Sequence, residues 1–185
     1  MTKLETASER TRALILDAAA RVLGRRTDAA MTDIADEAGI GRATLYRHFP
    51  TREALLRGAA DAGTAELADA MDAAKLDELP VERAIARVTA VFLRTGAKYA
   101  ALIGCQIEEP HDPVAKQRVI QPLRDTIARG MREMVLRDDL AGDALFEMFS
   151  ALIERALWLT VAGTLTPESA ADTVVAVFLD GARVR

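Results

Sequence analysis

Several features that mark other protein classes are scarce in this 185-residue chain. It has a single cysteine, Cys105, which excludes an intramolecular disulfide and a zinc site built only from thiolates. Residues 1–5 lack the apolar core of a signal peptide, and the apolar stretch at residues 156–163 is too short to cross a bilayer. We therefore expect a cytoplasmic protein with no membrane-inserted segment.

Aromatic residues and strand signals are also few. Only 4% of the residues are aromatic, whereas 50% are hydrophobic and 28% are charged, so the core must be built mainly from Ala, Leu, Val and Ile. Apolar positions recur at helical spacing instead, as residues 10–23 show. The sequence thus predicts an all-α fold.

The formal net charge of −4 argues at first against a nucleic-acid partner, because Lys and Arg drive binding to phosphates. The charge is unevenly distributed, however. Residues 1–57 hold 10 basic and 8 acidic side chains, against 14 and 20 in residues 58–185. Because residues 58–185 are acidic and residues 1–57 mildly basic, DNA would be repelled by the larger segment and attracted to the N-terminal one.

The basic segment has the pattern of a helix-turn-helix. A first amphipathic helix over residues 10–23 precedes a short one over residues 33–38, which Thr32 can cap and Gly39 can end. In the next helix Leu45 and Phe49 stand four residues apart, facing inward. Two short helices joined by a tight glycine turn are the layout in which the second helix enters the major groove of DNA.

Longer helices are predicted for the rest of the chain. Thr51 can cap the first of them, and Pro122 is expected to kink or break another. The predicted ranges are residues 51–75, 80 to 96 or beyond, 114–137, 143–163 and 167–182. We divide the chain into a three-helix DNA-binding domain, residues 1–57, and a larger helical domain for ligand binding and dimerisation, residues 58–185.

Residues 38–49, AGIGRATLYRHF, and residues 51–56, TREALL, closely resemble the N-terminal signature of the TetR family of bacterial transcriptional regulators. The motif resemblance covers roughly residues 10–57, and the later helices are similar to the family's second domain in architecture alone. Three positions depart from the usual pattern: Gly41 replaces a common Ser, Ala43 a common Gly, and Arg52 a common Lys. Sequence preference can shift with these changes, but DNA binding should persist.

The resemblance implies a set of DNA-binding residues with fitting chemistry. Arg42 can donate two hydrogen bonds to guanine, and Ala43 can touch a thymine methyl. Hydroxyl groups and Arg52 suit phosphate contacts, which fix the register of the protein on DNA. The alternative interpretation is that Arg42 and Arg47 only form a solvated face and that Tyr46 and Phe49 are core aromatic residues. The full set is Thr32, Arg42, Ala43, Thr44, Tyr46, Arg47, His48 and Arg52.

Dimerisation is expected because one helix-turn-helix reads too few base pairs, and paired ones read half-sites roughly 34 Å apart. The last two helices carry apolar stripes that would form a four-helix bundle across a two-fold axis, as in the family. Part of each stripe can instead face the core of its own chain. The stripe residues are Leu145, Met148, Leu152, Ala156, Leu159, Val174, Val177, Phe178 and Gly181, with Phe149 alongside.

A ligand pocket is predicted from large or polarizable side chains on the middle and late helices, although such residues are also ordinary packing. Tyr99 and Trp158 carry a polar group that can orient a ligand. The full set is Phe92, Tyr99, Leu102, Cys105, Met131, Phe146, Phe149 and Trp158. We expect no cofactor and no metal: Cys105, Glu108, Glu109, His111 and Asp112 fit no closed tetrahedral site, and a solvated loop is the simpler interpretation.

Taken together, the chain is predicted to be a repressor that binds an inverted-repeat operator as a homodimer and is released by a small apolar or amphipathic ligand. Two alternatives remain for the second domain. A small helical enzyme would need a nucleophile, a base and an orienting group close together, and no such group is visible in the sequence. A helical interaction protein would use the same faces to bind another protein.

Overall fold

The structure is a computed structural model and describes residues 6–103 and 112–184. Within these ranges it has eight α-helices, one short 3-10 helix and an isolated bridge between Leu136 and Arg183, but no β-strand. The predicted all-α fold is confirmed. In the described ranges no helix combines the length and apolar character required to cross a membrane.

The helices follow one another with short connections. In chain order they are α1 (Ala7–Arg25), α2 (Met31–Glu37), α3 (Arg42–His48), α4 (Arg52–Ala74), α5 (Val81–Ile103), α6 (Pro113–Arg132), α7 (Gly142–Val161) and α8 (Pro167–Ala182). The 3-10 helix, Leu76–Glu78, lies between α4 and α5. The start and end of α8 were predicted correctly, because Thr166 caps it and proline fits its first turn.

Helix α6 differs from its prediction in two ways. It runs through Pro122 without a break, and Thr126 donates a hydrogen bond to the Pro122 carbonyl at 2.8 Å. It also ends at Arg132 rather than at residue 137, because Met134 adopts a left-handed φ of 58°. The chain then turns back, so that Leu136 is fully buried and pairs with Arg183.

The chain packs as two compact units. The N-terminal unit comprises Met1–Gly63 and Lys98–His111, and the C-terminal unit comprises Thr64–Ala97 and Asp112–Arg185. Helices α4 and α5 each contribute residues to both units. The predicted functional domains, residues 1–57 and 58–185, remain a prediction, since compact packing and division of function need not end at the same residue.

Each unit has its own apolar core. In the N-terminal unit, α1 to α3 and the start of α4 bury a continuous cluster of side chains, with Tyr99 packed against it. In the C-terminal unit α7 packs on α8, where the ring centroids of Phe149 and Phe178 lie 4.5 Å apart. Helix α6 is tied to α4 by Arg118, whose guanidinium donates to Asp69 at 2.7 Å.

Candidate nucleic-acid interface

The turn between α2 and α3 is a Schellman motif. Gly39 lies at φ +66°, its N–H donates to the Asp36 carbonyl at 3.1 Å, and the N–H of Ile40 donates to the Ala35 carbonyl at 3.0 Å. Glycine adopts this left-handed conformation without the strain that a Cβ atom creates. Two carbonyls at the end of α2 are thereby satisfied while the chain reverses direction towards α3. The stop predicted at Gly39 is confirmed.

The start of α2 corrects one prediction. Ala30, not Thr32, is the N-cap residue, and the helix begins at Met31. The Asp33 carboxylate accepts a hydrogen bond from the Ala30 N–H at 3.0 Å and also pairs with Arg26. Because the Asp33 carboxylate, three residues later in the chain, accepts the hydrogen bond of the N-cap N–H, the Thr32 hydroxyl is not needed as a cap. Thr32 is half-buried in the first turn of α2.

Two buried side chains anchor helix α3 to the core of the N-terminal unit. Leu45 is fully buried, and Phe49, which follows the helix, is 2% exposed. The Arg12 guanidinium of α1 lies 5.0 Å from the centroid of the Phe49 ring, a cation–π contact that fixes the end of α3. The inward orientation predicted for Leu45 and Phe49 is confirmed, so the rest of the helix faces outward.

The outward side of α3 carries six of the eight predicted DNA-binding residues, which we call the α3 outer face. Tyr46 is 47% exposed, although it is a large aromatic residue. The Arg47 guanidinium donates to the Thr44 hydroxyl at 3.1 Å, so these two side chains form a pair. The exposed members are Arg42, Ala43, Tyr46 and Arg47, and the half-buried ones are Thr44 and His48.

Arg42 stands out on the α3 outer face. It is exposed in the first turn, after a Gly41 N-cap that offers no side-chain hydrogen bond. Among the described residues its guanidinium has no ion-pair or hydrogen-bond partner. By contrast, Arg21 and Arg26 of the N-terminal unit are paired with carboxylates, Arg21 with Glu37 at 2.9 Å. Arg42 can therefore bind an acceptor without first breaking a contact.

An ion-pair network behind α2 neutralises nearby acidic groups. Arg21 pairs with both Asp17 and Glu37, and Lys98 lies 3.2 Å from Asp17. Partial burial acts to raise the pKa of Asp17, but hydrogen bonds and charge from Lys98 and Arg21 outweigh it, so this pKa lies below its usual value. The network limits the repulsion that these carboxylates would exert on phosphates.

The last predicted DNA-binding residue, Arg52, begins α4 and is half-buried. Its Nη2 donates to the Thr27 carbonyl at 2.7 Å, and its Nη1 donates to the Ala29 carbonyl. Thr51 caps α4 as predicted, because its hydroxyl accepts from the Ala54 N–H at 3.1 Å. The sequence reasoning missed the contacts of Arg52, since no local pattern connects residues more than 20 positions apart.

The predicted dimer stripes divide into an inner and an outer half. Leu145, Ala156, Val174 and Phe178 are buried within the α7 and α8 core. Met148 and Val177 are 64% and 55% exposed, Gly181 is also exposed, and Leu152 and Leu159 are half-buried. Only the outer half can therefore contact another molecule.

The predicted ligand-binding residues have different surroundings. Tyr99 packs on the core of the N-terminal unit, 2.7 Å from where a Cβ would stand on Gly63. Phe146 stacks beneath the Arg124 guanidinium at 4.0 Å, and Phe149 is fully buried beside Phe178.

The other described members of that set are half-buried or exposed. Phe92 and Met131 are half-buried, and Trp158 is 37% exposed. The side chain of Leu102 and all of Cys105 lie outside the described residues, as do Glu108, Glu109 and His111. Asp112 is described, and its carboxylate caps α6 by accepting from the Val114 N–H at 2.9 Å. Among the described residues no group of three metal-ligating side chains is found.

One open groove in the C-terminal unit has a volume of about 490 Å³ and contains none of the predicted ligand-binding residues. It lies between the end of α4, the 3-10 helix and α6, and its lining is of mixed charge. The lining residues are Met71, Asp72, Lys75, Leu76, Asp77, Pro122, Asp125, Thr126, Arg129 and Arg132. No motif in the sequence indicates it, because it is formed by side chains from separate helices.

Comparison with known proteins supports the sequence resemblance. Residues 15–59 match the model of the family described as bacterial regulatory proteins, tetR family. The chain is 54% identical over 54 residues to the HTH-type transcriptional repressor LfrR of Mycolicibacterium smegmatis, a match that spans 29% of this chain and 29% of LfrR. It is 25% identical over 173 residues to the HTH-type transcriptional regulator NfxB of Pseudomonas aeruginosa, spanning 91% and 92% of the two chains.

A solved structure extends the likeness to the whole fold. The crystal structure of the TetR-like regulator LfrR from Mycobacterium smegmatis, in complex with proflavine, has a TM-score of 0.74 and 26% identity, and the similarity covers 96% of this chain and 99% of that one. These relatives are transcriptional regulators, which favours regulation over a small helical enzyme. The segment of residues 15–59 thus matches the TetR family of bacterial transcriptional regulators, and the fold of the whole chain is similar to that of the TetR-like regulator LfrR.

Proposed function

We propose that the protein is a homodimeric repressor in the cytoplasm that binds an inverted-repeat operator through the α3 outer face and is released by a small molecule. The observation that carries the proposal is the division of α3 into two sides. Leu45 is fully buried, whereas its neighbour Tyr46 is 47% exposed and the adjacent arginines face solvent. A helix held rigidly with such a polar side outward fits the major groove.

Each member of the α3 outer face has chemistry suited to DNA. The unpartnered Arg42 can read a guanine through two hydrogen bonds, and Ala43 has no bulk to keep the helix away from the bases. The Tyr46 hydroxyl and the Arg47 guanidinium can bind phosphates, with Thr44 holding Arg47 in position at 3.1 Å. His48, half-buried at the end of α3, can approach a phosphate from the side. Thr32 in the first turn of α2 can do the same.

The outer half of the α7 and α8 stripes supports dimerisation. Met148 and Val177 are large apolar residues that remain mostly exposed, and such patches mark interaction surfaces when they are contiguous. Gly181 has open space where a Cβ would stand, so a facing helix can approach it closely. Pairing these faces with those of a second copy would form a four-helix bundle and set the spacing of two α3 helices.

The proposed release from DNA involves a small molecule bound by the larger helical domain. LfrR has been crystallised in complex with proflavine, and α7 of this chain carries the aromatic rings of Phe146 and Phe149. A small apolar or amphipathic ligand can act as an inducer only if it prefers a conformation whose α3 helices no longer fit DNA.

The test is a DNA-binding series with matched variants. A duplex selected from random-sequence DNA by the wild-type protein is compared with an unselected duplex at several salt concentrations, by fluorescence anisotropy. Arg42→Ala should reduce preference for the selected duplex, by about 1–3 kcal/mol for a guanine that is no longer recognised, whereas Tyr46→Ala should weaken both duplexes alike. Arg87→Ala, an α5 residue outside this face, should bind normally. Equal affinity of the wild-type protein for both duplexes would refute the proposal.

A further inference from the structure

We propose that Arg52 is a positioning residue, whose guanidinium fixes the loop between α1 and α2 and thereby sets the orientation in which α2 and α3 are presented. Its expected effect on DNA affinity rests on the proposed DNA-binding function. Its effect on the loop does not, and can be measured in the free protein.

The contacts of Arg52 match the shape of its guanidinium. The two terminal nitrogens donate to the carbonyls of Thr27, at 2.7 Å, and of Ala29. A planar group with donors at fixed spacing can bind two acceptors together, whereas a lysine ammonium is a compact point charge. Arg52 is also half-buried, and its bond to the Ala29 carbonyl is partly shielded from water. The side chain is thus used as a two-pronged clamp on backbone.

The clamped loop leads directly into α2. Ala29, whose carbonyl accepts from Arg52, is 1% exposed, and the next residue, Ala30, is the N-cap of α2. The chain leaves α3 at Phe49, three residues before Arg52. Arg52 therefore joins the point where the chain enters the α2–α3 pair to the point where it leaves. Fixing both ends together restricts rotation of the pair.

The position of Arg52 in its own helix agrees with this role. It is the first residue of α4, where the helix dipole is positive and a cation is unfavourable unless it meets negative charge. The carbonyl oxygens of Thr27 and Ala29 supply partial negative charge there. The adjacent Glu53 contributes as well, since its pKa lies below its usual value through backbone hydrogen bonding and the Thr51 hydroxyl, with smaller effects of Arg57 and Arg52.

The family resemblance assigns Arg52 a phosphate contact, and the two roles predict different results for Arg52→Lys. This variant keeps the positive charge but loses the two-pronged geometry. A phosphate contact would largely survive the change, and a clamp would not. Arg52→Ala removes both properties, and Arg10→Ala, at an exposed site on α1, is the control for loss of one positive charge from the N-terminal unit.

The first measurement is amide hydrogen exchange of the free protein over residues 27–34. The clamp predicts faster exchange there in both Arg52→Lys and Arg52→Ala, and no change in Arg10→Ala. Exchange that remains at the wild-type rate in Arg52→Lys overturns the proposal, whether or not the protein binds DNA. If Arg52→Ala fails to fold, judged by circular dichroism, Arg52→Lys alone decides the question.

The second measurement is affinity for the selected duplex as a function of salt. The clamp predicts that Arg52→Lys and Arg52→Ala each bind about tenfold more weakly, equivalent to about 1.4 kcal/mol, at an unchanged salt dependence. If Arg52 contacts a phosphate instead, Arg52→Lys should bind DNA almost normally. Arg52→Ala should then show a slope of log K against log salt that is reduced by about 0.9 for each phosphate no longer bound. A purely structural role predicts a lower melting temperature with unchanged affinity of the folded protein. Either of these last two results contradicts the proposal.

Discussion

Replacing Gly39 by alanine tests the turn that joins α2 to α3. Gly39 lies at φ +66°, and a Cβ built on it meets no atom within 4 Å. The new side chain would therefore cause no clash with neighbours, and the cost is that of the backbone conformation alone, about 1–2 kcal/mol for a residue with a Cβ atom. We expect Gly39→Ala to lower the free energy of unfolding by about 1 kcal/mol.

Gly24 provides a matched control, because it also has open space around its Cβ position but lies inside helix α1 with no positive φ. There the same substitution should raise stability by about 0.5 kcal/mol, since alanine is the better helix former. Urea unfolding followed by circular dichroism measures both variants, with midpoints that shift in opposite directions at an unchanged slope. Shifts of the same sign in the two variants would refute the reasoning from backbone conformation.

Two further predictions concern assembly and pH. The double variant Met148→Glu, Val177→Glu should be a 20.0 kDa monomer in sedimentation equilibrium, because it places charge on the proposed dimer surface. The wild-type protein should be a dimer, and so should the control Val114→Glu, which changes an exposed apolar residue of α6. A dimeric double variant would exclude this surface. Hydrogen bonds from the Thr6 backbone, and to a smaller extent from the Thr6 hydroxyl, lower the pKa of Glu9 from 4.5. The Glu9 carboxylate therefore contributes its full stability above about pH 4.5, and this contribution is lost as the pH falls through the lowered pKa of the folded protein. Urea midpoints of the wild-type protein and Glu9→Gln should differ at pH 7 and converge below that pKa; a constant difference would contradict the linkage.

Much of the N-terminal unit follows from local sequence signals. Gly39 ends α2, Thr51 caps α4, and the spacing of Leu45 and Phe49 shows which side of α3 is buried, because each of these depends on residues within about one helical turn. The N-cap of α2 was misassigned to Thr32 for a similarly local reason. Two side chains, those of Thr32 and Asp33, could satisfy the helix start, and the carboxylate does so.

What could not be predicted depends on packing between distant segments. The contacts of Arg52 with the loop carbonyls span more than 20 residues of chain, and no periodicity reports them. The stripe on α7 was correctly identified as apolar, but Met148 is exposed and Phe149 buried only because α8 covers one side of it. Pocket residues cannot be separated from packing residues by spacing, because buried side chains that line a cavity and those that pack follow the same helical spacing.

The most direct test of the regulatory account is selection of genomic DNA fragments by the purified wild-type protein, followed by sequencing of the bound fraction. The account predicts enriched fragments that share an inverted repeat, with half-sites centred about one helical turn, roughly 34 Å, or a multiple of it apart. It also predicts that Tyr46→Ala recovers far fewer of them. A bound fraction with the same composition as the input DNA, or enriched fragments without two-fold symmetry, would contradict a dimeric operator-binding repressor.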